Sequence, residues 1–171
     1  MAYRITEAFI VSQPIANTEA TQASDIPLGK IVRAIDPIYG EGEFIYMLGV
    51  ASTTLGSLVT WDGASSGTPT YQTALCPSTA NLAQPVAVAM SANTAGRYGW
   101  YQLSGNAVMA TNGTLAAGPG PIYIGSAGNV TSGAAAGKQI LSARNCTATG
   151  TPAANQAVVQ INRPFAQGAI T

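Results

Sequence analysis

The sequence contains one stretch that resembles a catalytic motif. Residues 63–67 read G-A-S-S-G and match the G-x-S-x-G pattern of hydrolase nucleophiles, and they follow a predicted strand as that motif does. A serine nucleophile needs a base to take its proton, but the chain has no histidine. A lysine base would have to be Lys30 or Lys138, and neither lies in a supporting motif. We therefore interpret residues 63–67 as a loop tip.

A second candidate for chemistry is the acidic stretch that holds Asp36, Glu41 and Glu43. A glycosidase needs two carboxylates that face a cleft, and a calcium loop needs closely alternating oxygen ligands. The stretch D-P-I-Y-G-E-G-E matches neither pattern and is typical of a charged turn between two strands. Zinc is also disfavoured, because the chain has two cysteines and no histidine. The sequence predicts a protein that is not an enzyme and has no metal or cofactor.

The charge pattern points away from nucleic acid. The 171 residues include only 8% charged residues, with a net charge of zero and no cluster of lysine and arginine to displace counterions from phosphates. All seven acids lie at or before Asp62, where three bases leave a net charge of −4, whereas the chain after Asp62 holds four bases and no acid. Two interpretations stay open. The asymmetry is composition noise, or an acidic N-terminal segment docks on a neutral-to-basic body in the same molecule or in a neighbour.

Membrane insertion is not predicted. The N-terminus lacks a basic segment followed by a long apolar stretch, and the longest apolar run, residues 44–51, is far shorter than the ~20 residues that span a bilayer. We expect a product made in the cytoplasm. Cys76 and Cys146 are then expected to be buried free thiols, with a disulfide as the alternative.

Residues 1–27 differ from the rest of the chain and predict an N-terminal arm. Residues 3–12 can form an extended stretch, and residues 13–27 are polar and bounded by Pro14 and Pro27. Such a segment has few apolar groups to bury, so we interpret it as an arm that is ordered by contact with something else. The alternative is an ordinary first strand followed by a long loop.

Residues 28–171 predict a single β domain. Short apolar runs alternate with clusters of glycine, proline, serine and asparagine, which favours an all-β barrel or sandwich. Residues 43–51 are typical of a strand buried on both faces, and the small alanines of residues 84–90 predict a central strand. Ser104-Gly105 indicates a hairpin turn. Alanine-rich residues 78–84 and 132–137 could each form a helical turn or two.

An aromatic cluster lies at residues 96–101, which read G-R-Y-G-W-Y. Such a cluster could stack on bases or sugars, but in a strand it more often serves a core or an interface. We therefore assign Tyr98, Trp100 and Tyr101 to the core or to an oligomer contact.

Four stretches taken together resemble the head decoration, or capsid cement, proteins of tailed bacteriophages. They are IPLGKIVRAID (26–36), YGEGEFIYMLGVASTTLGSLVTW (39–61), PVAVAMSANTAGRYGWYQLSGNAVM (85–109) and GPIYIGSAGNVTSG (120–133). The resemblance covers residues 26–162 and rests on the order of the strands and on the sequences of the turns between them. It implies a small β-barrel or β-tulip fold with an N-terminal arm.

The resemblance also implies a function and partners. Family members bind the major capsid protein on the outside of the icosahedral head, commonly as trimers and sometimes as dimers, and stabilise the shell against the internal pressure of packaged DNA. We therefore expect a virion protein on the capsid exterior, made in the host cytoplasm, with no contact to nucleic acid or membrane. The arm residues expected to contact the shell or a neighbouring subunit are Tyr3, Ile5, Phe9 and Ile10.

A different role is the main alternative. The same composition fits another virion component, such as a tail, baseplate or fibre domain, or a host-surface adhesin. Every one of these roles is binding without bond-making, which suits a chain with few charges and many Ala, Val, Thr and Tyr residues.

Overall fold

The chain is an all-β protein, as predicted. The computed structural model describes residues 4–5, 13–61 and 70–169, with the backbone alone for residues 4–5, and within these ranges it contains twelve strands and no helix. The alanine-rich residues 78–84 and 132–137 form turns. The strands are β1 (Arg4–Ile5), β2 (Thr18–Glu19), β3 (Ile31–Asp36), β4 (Gly40–Leu48), β5 (Leu58–Trp61), β6 (Thr73–Leu75), β7 (Val86–Ala89), β8 (Tyr98–Ala110), β9 (Tyr123–Ile124), β10 (Val130–Thr131), β11 (Ile140–Asn145) and β12 (Gln156–Ala166).

Ten strands form one antiparallel sheet in the order β1-β3-β4-β8-β7-β5-β6, with β12 and β2 also pairing with β8, and β11 with β12. Strands β9 and β10 form a separate pair. Among the described strands, β1 and β6 at the two ends of this order do not pair with each other. The sheet is therefore open, and the barrel form of the prediction is wrong in that respect.

The prediction of a hairpin turn at Ser104-Gly105 is wrong, because the long central strand β8 continues through these two residues. β8 continues for 13 residues, pairing with β4 in its first half and with β12 in its second. Gly105 has φ +101°, and a side chain there would collide with the carbonyl oxygen of Glu41. Glycine is therefore needed where β8 passes from one partner strand to the next, so the turn-like residues mark a close approach of two backbones.

Two strand predictions are confirmed by burial. Phe44, Ile45, Tyr46 and Met47 of β4 are all buried, and alternate residues join different core clusters on the two faces of the sheet. Strand β7 lies between β8 and β5, and all four of its residues are buried, as expected for a central strand.

The core has three clusters. The first contains β7, β8 and β12 residues together with the connections around β9 and β10. The second lies on one face of β3, β4 and β8 and includes Phe44, Tyr46 and Trp100. The third lies on the other face and includes Ile45, Met47 and Tyr101.

The described part of the N-terminal segment, residues 13–27, packs on the domain. Ile15 and Ile26 are buried in the second cluster, against Val32, Ala34 and the aromatic residues of that face. Between these two isoleucines, the short strand β2 pairs with β8, so the polar stretch is held on the sheet by strand pairing and by two buried apolar side chains. The division of the chain at residue 27 stays a prediction.

Candidate interaction surface

The acidic stretch forms a turn and ion pairs. Asp36 is buried, and its Oδ1 accepts hydrogen bonds from the backbone amides of Ile38 at 2.8 Å and Tyr39 at 3.0 Å. Glu41 and Glu43 face arginines. Within the described residues no group of three or more histidine, cysteine, aspartate or glutamate side chains could hold a metal ion. Residues 63–67 lie outside the described ranges.

One face of the β3–β4 hairpin is open to solvent along much of its length. Strand β3 buries Val32, Ala34 and Asp36 and turns its other residues outward. Opposite them, β4 alternates in the same way only from Glu41 to Phe44, after which its residues are buried on both faces. We call this surface the outer face, and its residues are Ile31, Arg33, Ile35, Glu41 and Glu43. Ile45, which pairs with Ile31 on the same side, is buried where this face meets the third core cluster.

Ion pairs occupy the middle of the outer face. Nitrogen atoms of the Arg33 guanidinium lie 4.0 Å from Glu41 Oε1 and 3.6 Å from Glu43 Oε1. Arg163 Nε of β12 donates a hydrogen bond to Glu43 Oε2 at 3.2 Å. The Glu43–Arg163 pair joins the acidic N-terminal part of the chain to the basic C-terminal part within one molecule. It is one contact of the kind that the charge asymmetry suggested.

An apolar groove of about 200 Å³ lies at one end of the outer face. Its lining consists mainly of Ile31, Ile45, Trp61, Pro85, Leu103 and Phe165. Ile45 and Leu103 are buried members of the third core cluster, whereas Phe165 is largely exposed. The groove is thus a place where the third cluster opens to the surface.

The hairpin tip, residues 36–40, lies at the other end of the outer face. Pro37 follows Asp36, whose side chain caps the turn, and Gly40 has φ +79°. This is the pattern of a three-residue hairpin loop that ends in a glycine bulge. Asn106 Nδ2 also donates a hydrogen bond to the Tyr39 carbonyl at 3.2 Å. The turn therefore holds Ile38, whose residue surface is 82% exposed, in a defined position.

The predicted aromatic residues have different surroundings. Trp100 is buried beside Tyr46, with ring centroids 5.0 Å apart, and Tyr98 is half-buried beside the same ring. Tyr101 is buried on the opposite face, where its hydroxyl accepts a hydrogen bond from Asn93 Nδ2 at 2.8 Å. The structure thus places Trp100 and Tyr101 in the core.

Gln13 fastens the N-terminal segment to this aromatic side of the sheet. Its Oε1 accepts a hydrogen bond from the Tyr46 hydroxyl at 2.7 Å, and its Nε2 donates to the carbonyls of Asn17 at 3.0 Å and Tyr98 at 2.9 Å. Trp100 Nε1 donates to the Gln13 carbonyl at 3.0 Å. We call this set of contacts the Gln13 clamp. It determines where the chain before Gln13 joins the body.

The predicted arm contacts fall mostly outside the described residues. Tyr3, Phe9 and Ile10 lie there, and of Ile5 only the backbone is described, in β1. β1 pairs with β3 through Arg4↔Ile35 and Ile5↔Ala34 and is the edge strand of the sheet. The role of these residues in binding stays a prediction.

Burial shifts the pKa of three groups that lie in three different core clusters, Cys76, Tyr46 and Tyr101. It raises the pKa of the Cys76 thiol to about 12. It also raises the pKa values of the Tyr46 and Tyr101 hydroxyls, against the opposing effect of the hydrogen bonds that each oxygen accepts. The two cysteines are free, and Cys146 is exposed, so the prediction of two buried thiols is correct only for Cys76.

Sequence reasoning missed the Gln13 clamp and the apolar groove. Gln13 follows an unremarkable serine in a polar stretch, and its buried partners are 33 and 85 residues away. The groove combines residues from β3, β4, β5, β8 and the end of β12. The hairpin tip did carry a signal, because Asp-Pro-x-x-Gly is a turn sequence.

Comparison of the chain with protein-family models, with curated proteins and with solved structures finds no match. In the described ranges, no helix is long and apolar enough to cross a bilayer.

Proposed function

We propose that this protein is a non-enzymatic capsid decoration protein. It binds the major capsid protein on the outer surface of an icosahedral phage head, as a homo-oligomer, and stabilises the shell against the pressure of packaged DNA. The sequence resemblance is the origin of the proposal. The proposed contact elements are residues 1–12 together with the sheet edge at β1.

The observation that carries the proposal is the way in which the N-terminal segment is attached. The Gln13 clamp holds the segment on the sheet through buried hydrogen bonds, and β1 lies at the edge of that sheet. A strand at the edge of a sheet can extend the strand pairing to a neighbouring protein. Several copies engaged at once then convert modest contacts into tight attachment.

The experiment is a deletion matched to the clamp. Removal of residues 1–12 takes away the two-residue edge strand β1 but keeps Gln13 and Ile15, which are buried, so the body should fold with a far-UV circular dichroism spectrum close to that of the full chain. Full-length protein should co-sediment with phage heads that lack it and should raise the temperature at which they release DNA. The truncated protein should do neither, and wild-type attachment by it would contradict the proposed role of the segment.

Immunogold labelling of intact virions tests the location. Label on the head supports the proposal. Label on the tail, baseplate or fibres would contradict it and would support the alternative virion role.

A further inference from the structure

The turn that follows β8 contains the only Asn-Gly pair of the chain, Asn112-Gly113. We propose that Asn112 is a modification site, at which the folded protein deamidates spontaneously and converts this asparagine into aspartate and isoaspartate. Both reacting groups belong to the chain itself, and water is the one further reactant. The inference rests on this turn alone and is independent of the proposed binding to a phage head.

The reaction is an attack of the backbone on the side chain. The Gly113 amide nitrogen loses its proton to a base in the solvent and forms a bond to Cγ of Asn112, which closes a succinimide ring. The bond between Cγ and Nδ2 breaks, and Nδ2 takes up a proton from water and leaves as ammonia. A water molecule then opens the ring at one of its two carbonyls, and the product is aspartate or isoaspartate. Nothing is oxidised or reduced in these steps.

The peptide group between Asn112 and Gly113 has the freedom that ring closure requires. Within the described ranges, neither the Asn112 carbonyl nor the Gly113 amide takes part in a hydrogen bond. The groups on either side are held, because Asn112 N donates to the Val130 carbonyl at 2.9 Å and the Gly113 carbonyl accepts from Thr149 Oγ1 at 3.1 Å. The attacking nitrogen therefore reacts without first losing a hydrogen bond in the turn.

Gly113 also leaves the attacking nitrogen open to approach. Its φ is +88°, and a Cβ built at this position would meet Thr131 Oγ1 at 3.8 Å, an ordinary contact distance. Asn112 and Gly113 are both exposed to solvent, which supplies the base for the first step and the water for the last. Any residue other than glycine would place a Cβ beside the nitrogen and hinder the closing ring.

The eight other asparagines of the chain are less suited to this reaction, because each is followed by a residue that has a Cβ. Asn93 and Asn145 are also buried, and each donates a side-chain hydrogen bond from Nδ2. Asn129 donates from Nδ2 to Ser126 Oγ at 3.0 Å. Within the described ranges the side chain of Asn112 makes no hydrogen bond, so its amide is available for attack.

Conversion changes both the charge and the shape of the turn. The chain after Asp62 contains four bases and no acid, so the new carboxylate is the first acid in that part and takes the net charge from zero to −1. Isoaspartate also lengthens the backbone by one carbon atom between Asn112 N and the Gly113 carbonyl, which are tied to Val130 and Thr149. We therefore expect this product to lose at least one of these two hydrogen bonds.

Incubation of the full chain at neutral and at mildly alkaline pH, followed by peptide mapping with mass spectrometry, measures the reaction. The peptide that holds Asn112 should gain the mass difference between an amide and a carboxyl group, and ion-exchange chromatography should resolve the more acidic product. Conversion should be faster at the higher pH, because the attacking nitrogen must lose its proton. Peptides that hold the other asparagines should stay unchanged over the same period.

Substitutions test the assignment to this pair. Asn112→Gln should abolish the conversion over that period, because a glutamine would have to close a larger ring. Gly113→Ala should slow the conversion at Asn112 by about tenfold or more. Asn17→Gln changes an exposed asparagine that is followed by threonine, and this matched control should convert at Asn112 as the wild type does.

The same incubation in concentrated urea measures what the fold contributes. Because the peptide group of the turn makes no hydrogen bond, the folded protein should convert at a rate within about tenfold of that of the unfolded chain. The effect of Gly113→Ala is measured in urea as well, where it does not depend on whether this variant folds.

Three results would overturn the inference. They are an Asn112 that stays intact in the folded protein while the unfolded chain converts, a Gly113→Ala variant that converts in urea as fast as the wild type, and other asparagines that convert in the folded protein as fast as Asn112.

Discussion

The N-terminal segment and the last strand are joined to the sheet by different kinds of contact. At the Gln13 clamp, hydrogen bonds lie among buried aromatic rings. On the outer face, Arg163 of β12 joins Glu43 through an ion pair whose arginine is largely exposed to solvent. Both contacts connect residues far apart in the chain.

Burial determines how much each contact contributes to the free energy of unfolding. A buried polar atom that loses its partner costs about 1–3 kcal/mol, since water does not replace the lost hydrogen bond. An exposed ion pair contributes about 0–1 kcal/mol, because water and salt screen it. The buried contacts of the Gln13 clamp should therefore contribute more to stability than the exposed ion pairs of the outer face.

The largest expected difference concerns isoleucines on the two sides. Ile26→Ala should lower the free energy of unfolding by about 2–5 kcal/mol, because Ile26 is fully buried in the second cluster. Ile35→Ala, at a position 44% exposed on the outer face, should cost less than about 1 kcal/mol. Urea unfolding followed by tryptophan fluorescence measures both, and equal losses would contradict the comparison.

Loss of the clamp should have the next largest effect. Gln13→Ala should destabilise the protein by about 2 kcal/mol, because it leaves the Tyr46 hydroxyl and the Tyr98 carbonyl without this partner. Tyr46→Phe should cost less. The double variant Gln13→Ala/Tyr46→Phe should cost clearly less than the sum of the two single variants, because the shared hydrogen bond is then absent from both sides. Strict additivity would show that the two side chains do not act together.

Alkaline pH should destabilise the buried core on both faces of the sheet. Cys76, Tyr46 and Tyr101 have raised pKa values in the folded state, so the unfolded chain releases these protons first and stability falls as the pH rises. The loss should begin near the ordinary thiol pKa of 9.0 and continue toward about 12 for Cys76, at about 1.4 kcal/mol per pH unit for each group. The tyrosines should add to it above about pH 10.

Unfolding free energies measured from pH 8 to pH 11 test this dependence. Cys76→Ala should be less stable at neutral pH but should show a flatter profile between pH 9 and pH 10. Identical slopes for this variant and the wild type would contradict the assignment to Cys76.

The smallest effect should come from the outer-face ion pair. Arg163→Ala should lower stability by less than about 1 kcal/mol at low salt and by almost nothing in concentrated salt. Arg144→Ala is the matched control, since Arg144 donates a hydrogen bond to Gln160 at an exposed site and faces no carboxylate in the pairs that the structure describes. A loss that persists in salt and equals the loss caused by Gln13→Ala would mean that the outer face contributes to stability as strongly as the clamp side.

Local patterns predicted the strands well and the connections less well. The apolar run of β4 and the small residues of β7 predicted the burial of these strands correctly. Burial on both faces restricts every residue of a strand to an apolar or small type, so the pattern is visible in the local sequence. The hairpin prediction at Ser104-Gly105 was wrong because a glycine suits either a turn or a close approach of two backbones. Only the position of the Glu41 carbonyl in the fold distinguishes these two uses.

The candidate surface was predicted in part. The separation of acidic and basic residues suggested docking of one segment on another, and the structure contains the Glu43–Arg163 pair between them. The apolar groove had no counterpart in the sequence, because six separate segments line it. The prediction that Tyr3, Ile5, Phe9 and Ile10 contact a capsid stays a prediction.

Composition and periodicity by themselves determined that this is an all-β protein with sparse charge and without a histidine-based active site, because residue type and strand alternation are local properties. Only the tertiary structure decided that Gln13 is a buried anchor while Ile38 is an exposed tip. The physical reason is that burial depends on which distant residues cover a side chain, and no local pattern of polarity specifies those neighbours.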